Sequence, residues 1–161
     1  NYNLQYKTNY KCLMPCNSYG PNDNYDLKNS HFIAALIKKI YLAKKYKRKQ
    51  IEIWGTGKPK REIIFVDDIA DACIYFMNKK TKKSLINIGT GKDLSIEEYA
   101  KYLIKFFNLN LKIKKNLNMP DGIKRKLLNV DLANSLGWKA KTSLKDGLTI
   151  TLQDINKKNL F

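Results

Sequence analysis

The chain has 161 residues, of which 43% are hydrophobic, and it carries a formal net charge of +17. That length favours a single domain, and the apolar fraction suffices for a hydrophobic core, which argues against a disordered chain. The sequence has no apolar run of the about 18 residues that a membrane span requires, and its polar start lacks the apolar centre of a signal peptide, so we expect no membrane partner.

The first third of the sequence predicts a strand, a long loop and a helix. Residues 9–16 (NYKCLMPC) predict a short strand ended by Pro15, and the polar residues 17–30 predict a loop. From His31 to about Arg48, apolar residues recur at helical spacing, with lysines on the opposite face. The loop therefore leads the only histidine of the chain to the start of an amphipathic helix.

The middle of the sequence alternates between short strands and helix starts. Residues 50–54 alternate as a strand, residues 55–59 predict a turn, and residues 63–66 predict an apolar strand. Asp67 and Asp68 follow where the N-cap of a helix belongs.

Similar signals continue to the end of the chain. Residues 85–88 predict a strand, and Ser95 with Glu98 has the pattern of a capping box, so a helix is expected next. Residues 111–114 alternate like an edge strand, and a last amphipathic helix is expected to begin near Ser143. Alternating strands and helices predict an α/β fold. The first strand has no evident neighbour, so we expect it to belong to a sheet whose other strands are absent.

The cysteines and the charge narrow the possible partners. Cys12, Cys16 and Cys73 form no CxxC pair, and their odd number argues against a disulfide framework, so a reducing cytoplasm fits best. The cysteines also lack zinc-ligand spacing, and one histidine cannot complete a His-rich site, so we expect no metal. The lysines are spread along the whole chain, which favours a solvated surface over a nucleic-acid-binding arm.

Two features carry possible chemistry. His31 stands at a predicted helix start and can serve as an acid or base near neutral pH, or can be an ordinary surface or capping histidine. The segment from Trp54 to Glu62 (WGTGKPKRE) joins an aromatic ring to a cationic cluster, which can hold a base and a phosphate. The alternative is a solvated turn with a half-buried tryptophan. Its Gly-Thr-Gly is not a phosphate-binding loop, because a proline and a polar stretch follow it.

Four segments together resemble a known family. They are MPCNSYGPNDNYDLKNSH, IWGTGKPKREIIFVDDIADA, INIGTGKDLSIEEYA and MPDGIKRKLLNVDLANSLGWKAKTSLKDGL. In this order and spacing they resemble the nucleotide-sugar epimerase/dehydratase branch of the extended short-chain dehydrogenases, and within it the GDP-L-fucose synthase subgroup. The first and last segments are the most specific to that subgroup. The resemblance covers nearly the whole chain but only the C-terminal half of the family fold.

The resemblance implies an organisation in two parts. Residues 1–20 would be a remnant of the Rossmann dinucleotide-binding domain, with residues 1–8 ending a helix, and residues 21–161 would be the domain that binds the GDP-sugar. The other half would carry the glycine-rich loop, the Ser and Tyr-x-x-x-Lys of the reductase site and the cysteine used in epimerisation. It would therefore bind most of the NADP, and the complete enzyme would be a homodimer.

The resemblance also implies site residues. His31 would lie beside the nicotinamide and the sugar as the acid in epimerisation. The stretch implied to contact the nicotinamide, largely through its backbone, is Pro15, Cys16, Asn17 and Ser18. The residues implied to bind the GDP-sugar are Asn29, Ser30, Lys39, Trp54, Arg61, Asp121 and Lys126. Trp54 and Arg61 would hold the GDP portion and Lys126 the diphosphate, while Asp121 would contact the nucleotide or sugar. Lys39 stands where the family commonly has Arg, so the charge is kept but the bidentate fork is lost.

The sequence thus predicts the substrate-binding half of an NADPH-dependent 3,5-epimerase/4-reductase acting on GDP-4-keto-6-deoxy-D-mannose. On its own this half is expected to be catalytically silent. Two alternatives stay open: a sibling enzyme for another GDP-sugar, and a free-standing basic module that binds nucleotides or nucleic acid.

Overall fold

The computed structural model describes residues 2–161, which contain six helices and eight strands. The helices are α1 (Tyr2–Tyr6), α2 (Phe32–Lys45), α3 (Val66–Asn78), α4 (Ile96–Phe106), α5 (Asp131–Ser135) and α6 (Leu144–Lys157). The strands are β1 (Cys12–Pro15), β2 (Asn17–Tyr19), β3 (Gln50–Trp54), β4 (Lys60–Phe65), β5 (Leu85–Ile88), β6 (Asp93–Ser95), β7 (Lys112–Asn116) and β8 (Arg125–Lys126). The predicted α/β class is confirmed.

Strand β4 has more neighbours than any other described strand. Its second half pairs in parallel with β2, and its first half pairs antiparallel with β6 and parallel with β8. Because successive side chains of a strand point to opposite faces, Ile64 enters one hydrophobic core while Ile63 and Phe65 enter another. The strand is thus a wall shared by both cores.

The larger core lies between that wall and the long helices. Helix α2 buries Ile33, Leu36, Ile37 and Ile40, which repeat every three or four residues and so share one face. Helices α4 and α6 add Leu103, Leu148 and Ile155, among others. The smaller core joins α3, β5 and α5 around Phe76, Ile86 and Trp138. No helix within residues 2–161 combines the length and the hydrophobicity required to cross a bilayer.

Strand β1 has a sheet partner, so the expectation that its neighbours are absent is wrong in part. It pairs in parallel with β5, with Cys12 opposite Leu85. One face of this ribbon faces the smaller core, where Ile86 and Ile88 are fully buried. The other face leaves Met14 and Leu85 exposed. Parallel sheets normally have both faces covered. In this ribbon only the face toward the smaller core is covered.

Two local predictions are wrong. Residues 17–19 are not a loop, because they form β2, which pairs with Ile63–Phe65 of β4. No pattern within residues 17–19 predicts this distant partner. The N-cap of α3 is Phe65, so Asp67 and Asp68 lie inside the first turn. Asp68 is buried and its carboxylate accepts hydrogen bonds from the backbone N–H groups of Lys141 (3.3 Å) and Thr142 (3.0 Å).

Other local predictions are confirmed. Strand β3 occupies residues 50–54 as expected, and β7 pairs with β3 alone among the described strands, which makes it an edge strand. Ser95 and Glu98 form the reciprocal capping box at the start of α4. His31 and Ser143 are the N-cap residues of α2 and α6. These elements were predictable because their signals are local.

Candidate functional site

A cavity of about 200 Å³ lies between α2, the end of β3, the start of β4 and the loop at residues 120–121. Helix α2 presents one face to it, because Phe32, Ala35, Leu36 and Lys39 are three or four residues apart. Five of the residues that the sequence predicts for GDP-sugar binding line it: Ser30, Lys39, Trp54, Arg61 and Asp121. Residues as far apart in the chain as Ser30 and Asp121 therefore meet at one place.

Lys39 is held firmly within this cavity. Its Nζ donates a hydrogen bond to the backbone carbonyl of Glu52 (2.9 Å) and lies 5.9 Å from the centre of the Trp54 ring. Burial lowers the pKa of Lys39 below its usual value, and the negative charge of Glu52 offsets part of that effect. An ammonium group has three donors, so Lys39 can still donate to an anion in the cavity.

Trp54 supplies an aromatic surface at the cavity rim. It is the last residue of β3, where the alternation of the strand points it away from the core that holds Ile53. Its side chain is 49% exposed, whereas the other tryptophan, Trp138, is 2% exposed in the smaller core. A half-exposed indole offers one face on which a planar base can stack.

Arg61 is oriented by the backbone around it. Its Nη1 donates to the carbonyl oxygens of Lys60 (2.8 Å) and Ile123 (2.6 Å). These bonds fix the plane of the guanidinium, and its Nε and Nη2 groups have no acceptor among residues 2–161. A fixed guanidinium with free N–H groups is suited to a phosphate, which it can bind through two parallel hydrogen bonds.

Asp121 braces a turn. Its Oδ1 accepts from the backbone N–H of Thr56 (2.6 Å) and its Oδ2 accepts from the Thr56 hydroxyl (2.8 Å). Gly55 has φ +62°, and a Cβ there would strike the Asp121 carboxylate, so the close approach requires glycine. The bonds from Thr56 hold the pKa of Asp121 below its usual value. Each carboxylate oxygen thus already accepts one hydrogen bond from Thr56, and a direct contact of Asp121 with a nucleotide or sugar stays a prediction.

Ser30 is the lining residue with an unused polar group. Its Oγ is buried and has no hydrogen-bond partner among residues 2–161. A buried hydroxyl without a partner costs free energy, which a ligand that bonds to it would recover.

His31 lies between two lining residues, Ser30 and Phe32, but is itself exposed. It is the N-cap of α2 through its backbone, and its side chain makes no capping hydrogen bond. The imidazole thus adds nothing to the cap, and the alternative of an ordinary surface histidine stays open. Its predicted role as an acid stays a prediction.

The stretch predicted for the nicotinamide lies elsewhere, at the carboxyl end of β1. Pro15 ends the pairing with β5, the Cys16 N–H donates to the carbonyl of Ile88 (2.9 Å), and Asn17 begins the pairing with β4. The chain thus passes from one sheet to another within residues 15–18. Open α/β sheets bind ligands at such switch points, outside the carboxyl ends of parallel strands.

The Cys16 side chain is chemically quiet. Burial and then the nearby Glu62 carboxylate raise the pKa of its thiol to about 12. It therefore stays protonated at neutral pH. Pro15, Cys16, Asn17 and Ser18 do not line the 200 Å³ cavity, so any contact with a dinucleotide would occur outside it.

Two predicted substrate residues are not part of the cavity lining. Asn29 is exposed and its amide donates to the Asp26 carboxylate (3.1 Å) within the loop. Lys126 is exposed on β8, paired with Arg61 of β4. Paired residues of adjacent strands share a face, so Lys126 lies beside the cavity residue Arg61.

Glu62, which the sequence analysis did not single out, is a buried acid that joins distant segments of the chain. Glu62 is 1% exposed and its carboxylate accepts hydrogen bonds from the backbone N–H groups of Gly91 (2.6 Å) and Leu128 (2.8 Å). A lone acid at the start of the apolar run IIFV was the available signal, since an acid among buried residues needs partners. The partners themselves are distant in sequence and could not be read from it.

The cavity therefore combines two cations, an aromatic face and a free hydroxyl. Such a set can hold a planar base and a phosphate group. The sequence profile of the NAD dependent epimerase/dehydratase family matches residues 1–89. The chain belongs to this family.

Several relatives within the NAD dependent epimerase/dehydratase family have names that refer to GDP-sugars. GDP-L-fucose synthase 1 of Arabidopsis thaliana is 38% identical over 150 residues, which cover 93% of this chain and 46% of that protein. GDP-L-colitose synthase of Yersinia pseudotuberculosis is 39% identical over 152 residues, 93% of this chain and 49% of that protein. A solved GDP-mannoheptose C4 reductase of Campylobacter jejuni with NADP bound is 35% identical, with a TM-score of 0.81 over 96% of this chain and 52% of that one. The chain thus spans about half the length of the relatives it matches.

Proposed function

We propose that this chain is the substrate-binding part of a GDP-L-fucose synthase-like enzyme. The complete enzyme would carry out the 3,5-epimerisation of GDP-4-keto-6-deoxy-D-mannose and then reduce the 4-keto group with NADPH. The observation that carries the proposal is the convergence of Lys39, Trp54 and Arg61 on one cavity. In this assignment Trp54 stacks on the guanine, and Arg61 with Lys39 binds the diphosphate.

The electrostatics of the cavity support a diphosphate ligand. Lys39 and Arg61 both line it, and the one lining acid, Asp121, is already bonded to Thr56. Lys126 adds a third cation beside Arg61. A diphosphate would raise the lowered pKa of Lys39 again, because it stabilises the charged ammonium.

His31 is assigned the acid role in epimerisation. That step needs a proton removed beside a carbonyl and returned on the other face of the carbon. His31 is exposed and its imidazole does not cap α2, so it is free to reach a sugar bound next to Ser30. The Ser30 hydroxyl, which lacks a protein partner within residues 2–161, would bond to the sugar or phosphate.

The proposed cofactor is NADP, which when bound supplies the hydride for reduction of the 4-keto group. The residues assigned to its nicotinamide end are Pro15, Cys16, Asn17 and Ser18, at the switch point where β1 gives way to β2. Backbone contact suits them, since the Cys16 thiol stays protonated.

By the family resemblance, the rest of the dinucleotide would be bound by a second structural half that carries the glycine-rich loop. We assign residues 1–20 to that half, and its remaining strands to the edge of β1 that no described strand pairs with. The exposed Met14 and Leu85 support a covering layer over that face of the ribbon. A homodimeric and cytoplasmic complete enzyme stays a prediction.

Tryptophan fluorescence tests the proposal directly. The chain has two tryptophans, and Trp54 is half-exposed at the cavity while Trp138 is buried in the smaller core. GDP should quench the emission of the wild-type chain saturably, and the quench should persist in Trp138→Phe and vanish in Trp54→Phe. A quench that survives Trp54→Phe, or no competition between GDP and a GDP-sugar, would contradict this site.

The alternative of another GDP-sugar is favoured by one observation: the relatives include enzymes named for colitose and mannoheptose. Competition binding with GDP-sugars that differ only in the sugar would separate these cases. The basic-module alternative predicts tight RNA or DNA binding that falls steeply with salt. Selective GDP binding with weak nucleic-acid binding at the same salt would reject that alternative.

A further inference from the structure

The position of Lys126 depends on a very short strand. β8 has only two residues, Arg125 and Lys126, and both are exposed. Two residues of pairing are too few to hold a segment by themselves. The backbone adds one further bond, from the Lys60 N–H to the carbonyl of Lys124 (2.8 Å). Other contacts must therefore keep Lys126 beside Arg61.

Glu62 provides the first of these contacts, from the opposite face of β4. One carboxylate oxygen accepts from the Leu128 N–H (2.8 Å), and the other accepts from the Gly91 N–H (2.6 Å) and the Thr90 hydroxyl (3.4 Å). A Cβ at Gly89 would strike this carboxylate, so the turn that follows β5 is packed tightly over it. One side chain thus joins β4, that turn and the segment behind Lys126.

Asp93 provides the second contact, on the other side of Lys126. It accepts from Arg125 Nε (2.6 Å) and Nη2 (3.2 Å), a bidentate pair in which the Asp93 side chain is only 7% exposed. Asp93 pairs with Glu62 in the antiparallel ladder of β4 and β6. Two neighbouring carboxylates therefore anchor the residues that flank Lys126, one through Arg125 and one through Leu128.

We propose that Glu62 is a positioning residue that holds Lys126 beside Arg61, so that both cations meet one diphosphate. The use of that pair rests on the proposed function, whereas the holding of the segment does not. Glu62 itself does not line the cavity. It acts through the Leu128 backbone, two residues after Lys126.

The chemistry of this contact requires a carboxylate of this length. All three hydrogen bonds bring donors to Glu62, so both of its oxygens must accept. Glu62→Gln would present an amide N–H to one backbone N–H and leave that group unsatisfied. Glu62→Asp keeps two acceptors but shortens the side chain by one methylene, so that it cannot reach both segments together.

Asp68 offers a matched control. It is 5% exposed, and it also accepts from two backbone N–H groups and one hydroxyl, those of Lys141 and Thr142. Lys141 and Thr142 do not line the cavity that holds Arg61, and no hydrogen bond among residues 2–161 joins them to residues 124–128. Asp68→Asn should therefore lower the stability of the chain much as Glu62→Gln does, without disturbing Lys126.

The experiment measures amide hydrogen exchange by NMR and GDP affinity in the wild-type chain, Glu62→Gln and Asp68→Asn. In Glu62→Gln we expect the Leu128 and Gly91 amides to exchange about tenfold faster or more, and GDP to bind about tenfold more weakly, as expected for one buried group left unpaired. Asp68→Asn should change neither once the populations of unfolded chain are matched by temperature.

The outcomes separate the two claims. Equal Leu128 exchange in Glu62→Gln and Asp68→Asn would overturn the positioning role, whatever GDP does. Faster exchange together with unchanged GDP affinity would overturn the use of Lys126 at the diphosphate. If the wild-type chain binds no GDP, the proposed function fails, while the exchange data still decide whether Glu62 holds the segment.

Discussion

The carboxylate of Asp121 accepts two hydrogen bonds from Thr56, one from the backbone N–H (2.6 Å) and one from the hydroxyl (2.8 Å). This pair ties the turn after β3 to the loop after β7, and the turn and the loop each contribute to one side of the cavity. The shape of the cavity therefore depends on the charge of the Asp121 carboxylate, and so on pH.

Acid should release this connection. The folded-state pKa of Asp121 is lowered, first by the Thr56 hydroxyl and then by the Thr56 N–H, so its stabilisation is complete above the unfolded pKa of about 3.9. It is lost as the pH falls through the lower folded value. Asp121→Asn should thus be less stable than wild type at pH 7, and thermal unfolding should show the difference shrinking below about pH 4. A difference that is constant with pH would contradict the assignment.

Arg61→Ala should weaken GDP binding by roughly 1.5–3 kcal/mol, the range for hydrogen bonds to charged groups. The guanidinium is fixed by the carbonyls of Lys60 and Ile123, so its free N–H groups are already oriented for a phosphate. Calorimetric titration at one salt concentration measures the effect. Arg48→Ala is the matched control, because Arg48 is an exposed arginine that does not line the cavity. Equal dissociation constants for both variants would remove Arg61 from the site.

GDP affinity should fall at alkaline pH sooner than an ordinary lysine would cause. Burial lowers the pKa of Lys39, so its ammonium loses its proton, and with it the attraction for phosphate, at a lower pH than usual. Lys39→Arg should abolish this fall, since a guanidinium stays charged. Titrations from pH 7 upward would test this, and an alkaline fall that persists in Lys39→Arg would assign it to another group.

His31→Ala should block epimerisation far more than hydride transfer. Loss of a general acid costs about 10²–10⁴ in rate. The variant is placed in a protein that joins this chain to the dinucleotide-binding half of a relative. Incorporation of deuterium from solvent at C3 and C5 of the keto-sugar measures epimerisation. We expect incorporation to collapse while an already epimerised keto-sugar is still reduced. Wild-type incorporation in the variant would clear His31 of the acid role.

Residues 1–161 alone should oxidise no NADPH with any keto-sugar nucleotide. The family implies that the Tyr-x-x-x-Lys of the reductase site and the glycine-rich loop belong to the other half, and this sequence contains no G-x-G-x-x-G. Absorbance at the nicotinamide band measures the rate, with the joined protein described above as the positive control. Turnover by the purified chain, free of host enzyme, would refute the assignment.

The parts of the structure that sequence predicts well have local causes. The alternation from Gln50 to Trp54 and the capping box of Ser95 with Glu98 each lie within a few residues, and both are confirmed. Strand β2 and the burial of Asp68 were missed, because each depends on a partner about fifty or more residues away. Local composition made residues 17–19 resemble the polar loop that follows them.

The site divides in the same way. The resemblance identified the five cavity residues by their motifs. It could not show that the Asp121 carboxylate accepts hydrogen bonds from Thr56. Nor could it reveal Glu62, whose partners Gly91 and Leu128 come from two other segments. Side chains that bind the backbone of distant segments leave no periodic signal in a sequence.

The parallel pairing has a consequence for the order of folding. Cys12 pairs with Leu85, and Gln50 pairs with Lys112, so each ribbon joins segments made at well separated times during synthesis. Forming such contacts costs loop-closure entropy before any stabilisation is gained, which slows folding. On a translating ribosome β1 and β3 would emerge long before their partners, and their open edges would stay exposed to other chains during that interval.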